Sequence, residues 1–170
     1  MQALGLVWGN FDPVNADLEE SRVPIEVPTQ YGARLLLDHW RVRSESTGFV
    51  VGRDVPSRAL AGVLRNLALY EPFDDSADFR MRLAGTVFMR RFGRDVTGLN
   101  LSDIYPDAGF DVQRADLLEI IEKMAPAIFD VKLTRAGRVF QRFEGVRLPV
   151  LSPDRSQTWV LGALFYSDWS

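Results

Sequence analysis

The chain has 170 residues, 46% of them apolar and 25% charged, with a formal net charge of −3. At this length folding takes roughly 70% of the unfolded chain's surface out of water, so one ordinary core is expected, and the proportions exclude disordered, collagen-like and coiled-coil chains. No run reaches the ~20 apolar residues of a membrane helix. The lack of cysteine removes disulfides, thiolate metal sites and thiol catalysis, and the negative charge argues against nucleic acid as a partner.

Residues 1–8 carry no basic n-region and are too short for a signal peptide's apolar segment, which points to a cytoplasmic protein. The chain then turns acidic through Asp12, Asp17, Glu19, Glu20 and Glu26, broken by Pro13, Pro24 and Pro28. Residues 1–28 read as a partly irregular extension that lies against the domain or a partner, with the domain itself at 29–170. Over 29–45, Ala33, Leu36, Leu37 and Trp40 share one face at helical spacing. A short helical turn follows Pro56 at 57–66.

From Leu67 the period changes to that of a strand. Phe79-Arg80-Met81-Arg82-Leu83 alternates apolar and basic residues, as a half-buried strand does with Phe79, Met81 and Leu83 inward. The acidic turn between these runs fits an antiparallel hairpin. Thr86 caps a short helix through Phe88, Met89 and Phe92 that stops at Gly93. Residues 101–105 form a single turn before Pro106. The longest helix is expected at 112–125, capped by Asp111 and stopped by Pro126. Residues 128–135 alternate, Ala136-Gly137 turns the chain, 139–151 follows with a bend at Gly145, and 157–166 is apolar on both faces, as a central strand is.

The single histidine, His39, excludes a multi-histidine metal site. It sits on the first helix beside Trp40 and reads as an ordinary surface or interface residue. Residues 79–94 hold Arg80, Arg82, Arg90, Arg91 and Arg94 and no acid. That cluster is either a set of solvated faces paired with acids such as Asp95, or a surface for an anionic ligand or acidic partner, the chain's own residues 12–26 among the candidates. Gly93 suits a left-handed helix end, with Asp95 accepting bonds that hold the turn. A ligand pocket between sheet and short helices has candidate walls in Phe88, Phe92, Tyr105, Leu117, Ile121, Phe129, Val131, Phe143, Trp159 and Leu161, which a filled core would use equally. No carboxylate pair of selective spacing, metal cluster or glycine-rich phosphate loop marks an enzyme.

Several blocks resemble a bacterial PAS-like family of short single-domain proteins. They are Leu36-Leu37-Asp38-His39-Trp40-Arg41, Pro56-Ser57-Arg58, Phe79-Arg80-Met81-Arg82-Leu83-Ala84-Gly85-Thr86, Phe92-Gly93-Arg94-Asp95-Val96-Thr97-Gly98, Arg147-Leu148-Pro149-Val150-Leu151 and Leu161-Gly162-Ala163. The resemblance spans about 33–166, and 80–98 is its most specific block. The connection after Arg58 is shorter than the family's acidic, proline-containing segment.

The resemblance implies an α+β PAS-like fold: a five-stranded antiparallel sheet near 67–73, 79–85, 127–135, 138–151 and 157–166, the first strand beside the last, short helices on one face and an N-terminal flanking helix. It implies a stand-alone sensory or regulatory module in signal transduction, binding a small molecule, a signalling protein or both, and passing on a shift in populations. The alternative is a ligand-free interaction adaptor with a filled core. No catalytic residue, cofactor or metal is expected. Haem-binding PAS proteins usually draw their histidine from between the second and third strands, where this chain has none; a noncovalent small ligand stays open. A homodimer is expected through Leu36, Leu37 and Trp40, with no nucleic acid and no membrane.

Overall fold

The computed structural model of the chain describes residues 4–6 and 19–167. The five strands expected from alternation are present as β3 (Leu67–Phe73), β4 (Asp78–Ala84), β5 (Ala127–Arg135), β6 (Arg138–Leu151) and β7 (Thr158–Tyr166). All pair antiparallel, and β3 lies beside β7, so the first of the five is next to the last. Ala136 and Gly137 turn β5 into β6 with φ of 51° and 77°, the left-handed pair that matches strand twist in a two-residue hairpin.

The sheet is wider than five strands. β1 (Leu4–Leu6) and β2 (Glu19–Pro24) extend it beyond β5, in the order β1-β2-β5-β6-β7-β3-β4. Part of the acidic extension is therefore sheet: β2 pairs with β5 from Glu19 opposite Thr134 to Pro24 opposite Phe129. Pro24, without an N–H, suits the strand's end. Residues 1–3 and 7–18 of that extension, Asp12 and Asp17 among them, lie outside the described residues.

Helices cover both faces. On one lie α1 (Tyr31–Ser46) and a 3₁₀ segment (Arg58–Asn66); on the other lie α2 (Thr86–Phe92), α3 (Leu101–Ile104) and α4 (Asp107–Lys123). The α1 stripe of Ala33, Leu36, Leu37 and Trp40 is buried against Leu148, Val150, Trp159 and Leu161 of its own sheet. This corrects the homodimer interface expected at Leu36, Leu37 and Trp40. Two polar contacts fix the helix there. The Trp40 indole N–H donates to the Pro149 carbonyl at 2.8 Å. The Glu144 carboxylate of β6 accepts the backbone N–H of Thr29 at 2.8 Å and of Gln30 at 2.7 Å. It thereby satisfies orphan donors at the start of a helix that lacks a side-chain cap of its own.

Two other expectations shift. The long helix starts at Asp107, so Asp111 lies within it; Pro106 has no N–H to leave unpaired, and Asp107 complements the helix dipole. In β4, Leu83 pairs with Leu69 but Met81 pairs with Tyr70, so Arg82 is an extra residue in a bulge. Phe79 and Met81 consequently face α2–α4, while Leu83 is half-buried under α1.

Candidate functional site

Between the sheet and the α2–α4 layer is a partly open cavity of ≈ 70 Å³. Alternation along β6 turns Phe143, Gly145 and Arg147 toward it, while Glu144, Val146 and Leu148 face α1. The floor is low because it contains glycine. A Cβ on Gly145 would meet no atom within 4 Å, whereas one on Gly162 would lie 2.8 Å from Cε2 of the Tyr70 ring. Gly145 thus borders open space, and Gly162 admits the tyrosine. Phe88, Phe92, Phe129, Val131 and Phe143 supply apolar wall, and Tyr105 stands edge-on to Phe92 at 5.6 Å between ring centres.

The charged wall comes from elements far apart in sequence. Alternate residues of β2 share a face, so Glu20 and Arg22 both point inward, 6% and 7% exposed. Arg91 of α2 is buried too and lies 3.8 Å from the Glu20 carboxylate. Arg22 contacts Asp116 of α4 at 2.5 Å and sits over the Phe129 ring, 4.6 Å from its centre. Arg147 approaches the same Asp116 oxygen at 3.6 Å and donates to Gln113 Oε1. One aspartate is therefore shared by two guanidiniums. Arg22 Nε, Arg147 Nη1 and Gln113 Nε2 are buried donors without a hydrogen-bond partner, and Asp116 Oδ2 meets its arginines as an ion pair only.

Burial sets the protonation behaviour. It pushes the Glu20 carboxyl up to about 7, against the downward pull of Arg91, Arg22 and Arg147 and with a small upward push from Asp116. Burial also raises the hydroxyls of Tyr70 and Tyr105; an Arg147 hydrogen bond partly opposes this at Tyr70. Beyond the Arg22–Asp116–Arg147 cluster a wider groove of ≈ 400 Å³ runs between α4 and the β2–β5 edge, so the cluster stands between the cavity and that groove.

Of the expected pocket walls, Phe88, Phe92, Tyr105, Phe129, Val131 and Phe143 line the cavity. Leu117 and Ile121 pack instead in the core beneath α4. Trp159 and Leu161 face α1, because they alternate with Val160 and Gly162 on β7. The arginine cluster is dispersed. Only Arg91 reaches the cavity; Arg82 pairs with Glu71 at 3.3 Å, Arg80 sits over Phe73, Arg94 donates to the Asp103 carbonyl at 3.1 Å, and Arg90 is exposed. Adjacent residues cannot share a strand or helix face, which is why this run does not converge. Gly93 ends α2 at φ 71°, and the Asp95 carboxylate accepts the Thr97 N–H at 2.9 Å. His39 packs edge-on to Phe49 on the α1 side of the sheet, 5.9 Å between ring centres.

Sequence reasoning missed Glu20, Arg22, Arg147, Asp116 and Gln113. The available signal was the i, i+2 spacing of Glu20 and Arg22, matched by Gly145 and Arg147. Among the described residues no acidic, histidine or cysteine group is arranged to hold a metal ion, and no helix is long and apolar enough to cross a membrane.

Searches among curated proteins and among solved structures found no match. A family model described as PAS domain matches residues 29–165, well over half of the chain. With a sheet that brings β3 beside β7 and short helices over a polar cavity, this chain belongs to the PAS domain family.

Proposed function

We propose that the chain is a stand-alone PAS-type sensory or regulatory module that takes a small molecule into the cavity bounded by Gly145, Arg147, Arg91 and Glu20 and reports its occupancy to a signalling protein. The observation that carries this reading is the concentration of buried charge around open space. Taking unpaired or shared charges out of water costs several kcal/mol, and a domain with no use for that space would fill it with apolar side chains. A ligand with differential affinity for two arrangements of the surrounding elements shifts their populations, which is the output of a module without chemistry of its own. The reading is non-enzymatic, cytoplasmic and without a tightly held cofactor. The homodimer that belongs to it uses a surface other than the covered α1 stripe.

Native mass spectrometry of freshly purified protein tests this. A retained small molecule, or a ligand-dependent rise in melting temperature that Gly145→Leu abolishes, supports it. A bare chain whose melting temperature no small molecule shifts refutes it and favours the ligand-free adaptor.

A further inference from the structure

The charges around the cavity do not balance. Arg22, Arg91 and Arg147 bring three positive charges against the two carboxylates of Glu20 and Asp116, an excess of one positive charge with both acids ionised. Hydrogen-bond capacity is skewed the same way. Arg22 Nε, Arg147 Nη1 and Gln113 Nε2 are donors awaiting acceptors, and two of the three belong to side chains that line the cavity. A buried donor without an acceptor and a buried charge without its counter-charge both cost stability. One bound anion removes both costs.

Size and wall chemistry narrow the anion. A water needs roughly 10–15 Å³ by this measure, so ≈ 70 Å³ corresponds to about five to seven waters or a molecule of similar heavy-atom count. Phe88, Phe92 and Phe143 give the far wall an apolar surface that an inorganic oxyanion would leave unfilled. We infer that the cavity binds a small organic monoanion, a short-chain carboxylate whose head is held by the Arg22, Arg91 and Arg147 wall and whose hydrocarbon end lies against these aromatics. Glu20 and Arg22 precede the residues matched to the family model. The ligand class is therefore set partly by a strand outside the part of the chain matched to the family. The inference rests on the sensory reading above and deepens it.

The test is isothermal titration calorimetry of the dialysed full chain with sodium butyrate, with butyramide and with inorganic phosphate, at matched ionic strength. Butyrate should bind saturably, one per chain and in roughly the millimolar range suited to about six heavy atoms; butyramide and phosphate should not. Arg147→Met should weaken butyrate at least tenfold, the loss of a charged hydrogen-bonding partner. Should that variant fold poorly, Gly145→Val carries the test. Its side chain enters open space, so it should melt no lower than the parent and yet lose butyrate. No binding by the parent, equal binding of butyramide, a preference for phosphate, or butyrate retained by Gly145→Val each overturns the inference. A neutral or cationic molecule retained in native mass spectrometry, with no butyrate binding, overturns the anion alone and leaves the sensory reading standing. A bare chain that binds nothing overturns both.

Discussion

Replacing Glu20 with Gln should change how stability depends on pH. Burial lifts this carboxyl from an ordinary 4.5 to about 7 in the folded chain, with Arg91, Arg22 and Arg147 pulling down and Asp116 pushing up. The folded state therefore binds more protons than the unfolded state between those two values. Stability falls with pH wherever the native state is the more protonated. The contribution is fully present below pH 4.5 and is lost as pH rises through 7. At 1.36 kcal/mol per pKa unit, a rise from 4.5 to about 7 amounts to about 3 kcal/mol, of which about 2–3 kcal/mol is lost between pH 5 and 8.

Urea denaturation of the parent and of Glu20→Gln at both pH values measures it. The amide keeps the size and cannot ionise, so the variant should lack that fall and be the more stable of the two at pH 8. Asp54, Asp95 and Asp154, whose carboxyls are held below the usual range, contribute equally to both proteins and cancel in the difference. Equal loss in parent and variant between pH 5 and 8 would refute the placement of an ionisable Glu20 in a dry, charge-lined site.

The other predictions concern the frame around the site. Trp40→Ala should cost about 3–5 kcal/mol, the range for emptying a large aromatic site, and orphans the Pro149 carbonyl; light scattering should give the parent's mass, and a lower mass with unchanged stability would restore the stripe as a subunit contact. Leu161→Asp should unfold the domain, because a wholly buried position receives an unpaired charge, whereas Leu83→Asp should lower the melting temperature and leave a folded chain in circular dichroism. Glu144→Ala should destabilise by about 2–4 kcal/mol, since the charged acceptor for the Thr29 and Gln30 N–H groups is lost; hydrogen exchange should speed first at the start of α1, and uniform acceleration would argue against a local cap.

Strand positions were legible wherever one face is apolar, because period two shows through single residues. Phe129, Val131 and Phe143 could be set on one side of the sheet from the chain alone. Two kinds of information were not legible. The first is irregularity in pairing: the extra Arg82 in β4 turns Leu83 to the α1 side, and no residue type announces a bulge there. The second is burial of charge. Glu19, Glu20 and Arg22 look like a solvated segment until β2 is known to sit on the β5 edge, beneath α2 and α4. A buried ion pair is defined by partners distant in sequence, and local patterning carries no trace of them. Arg91 shows the same limit, as one of five arginines in a run with nothing local to mark it as the buried one.

The strand that joins these observations is β6. Its alternate residues Gly145 and Arg147 border the cavity, and their neighbours Glu144, Val146 and Leu148 hold α1 on the opposite face. Close-packed elements do not deform independently. A displacement of β6 large enough to admit a ligand head group beside Arg147 also moves the carboxylate that caps α1 and the Pro149 carbonyl that receives Trp40. The cavity and the flanking helix thus share one wall of single-residue thickness. For a module whose only output is a change in population, that shared wall gives ligand occupancy a direct mechanical route to the surface of α1, where Tyr31 and Val42 stand 74% and 66% exposed.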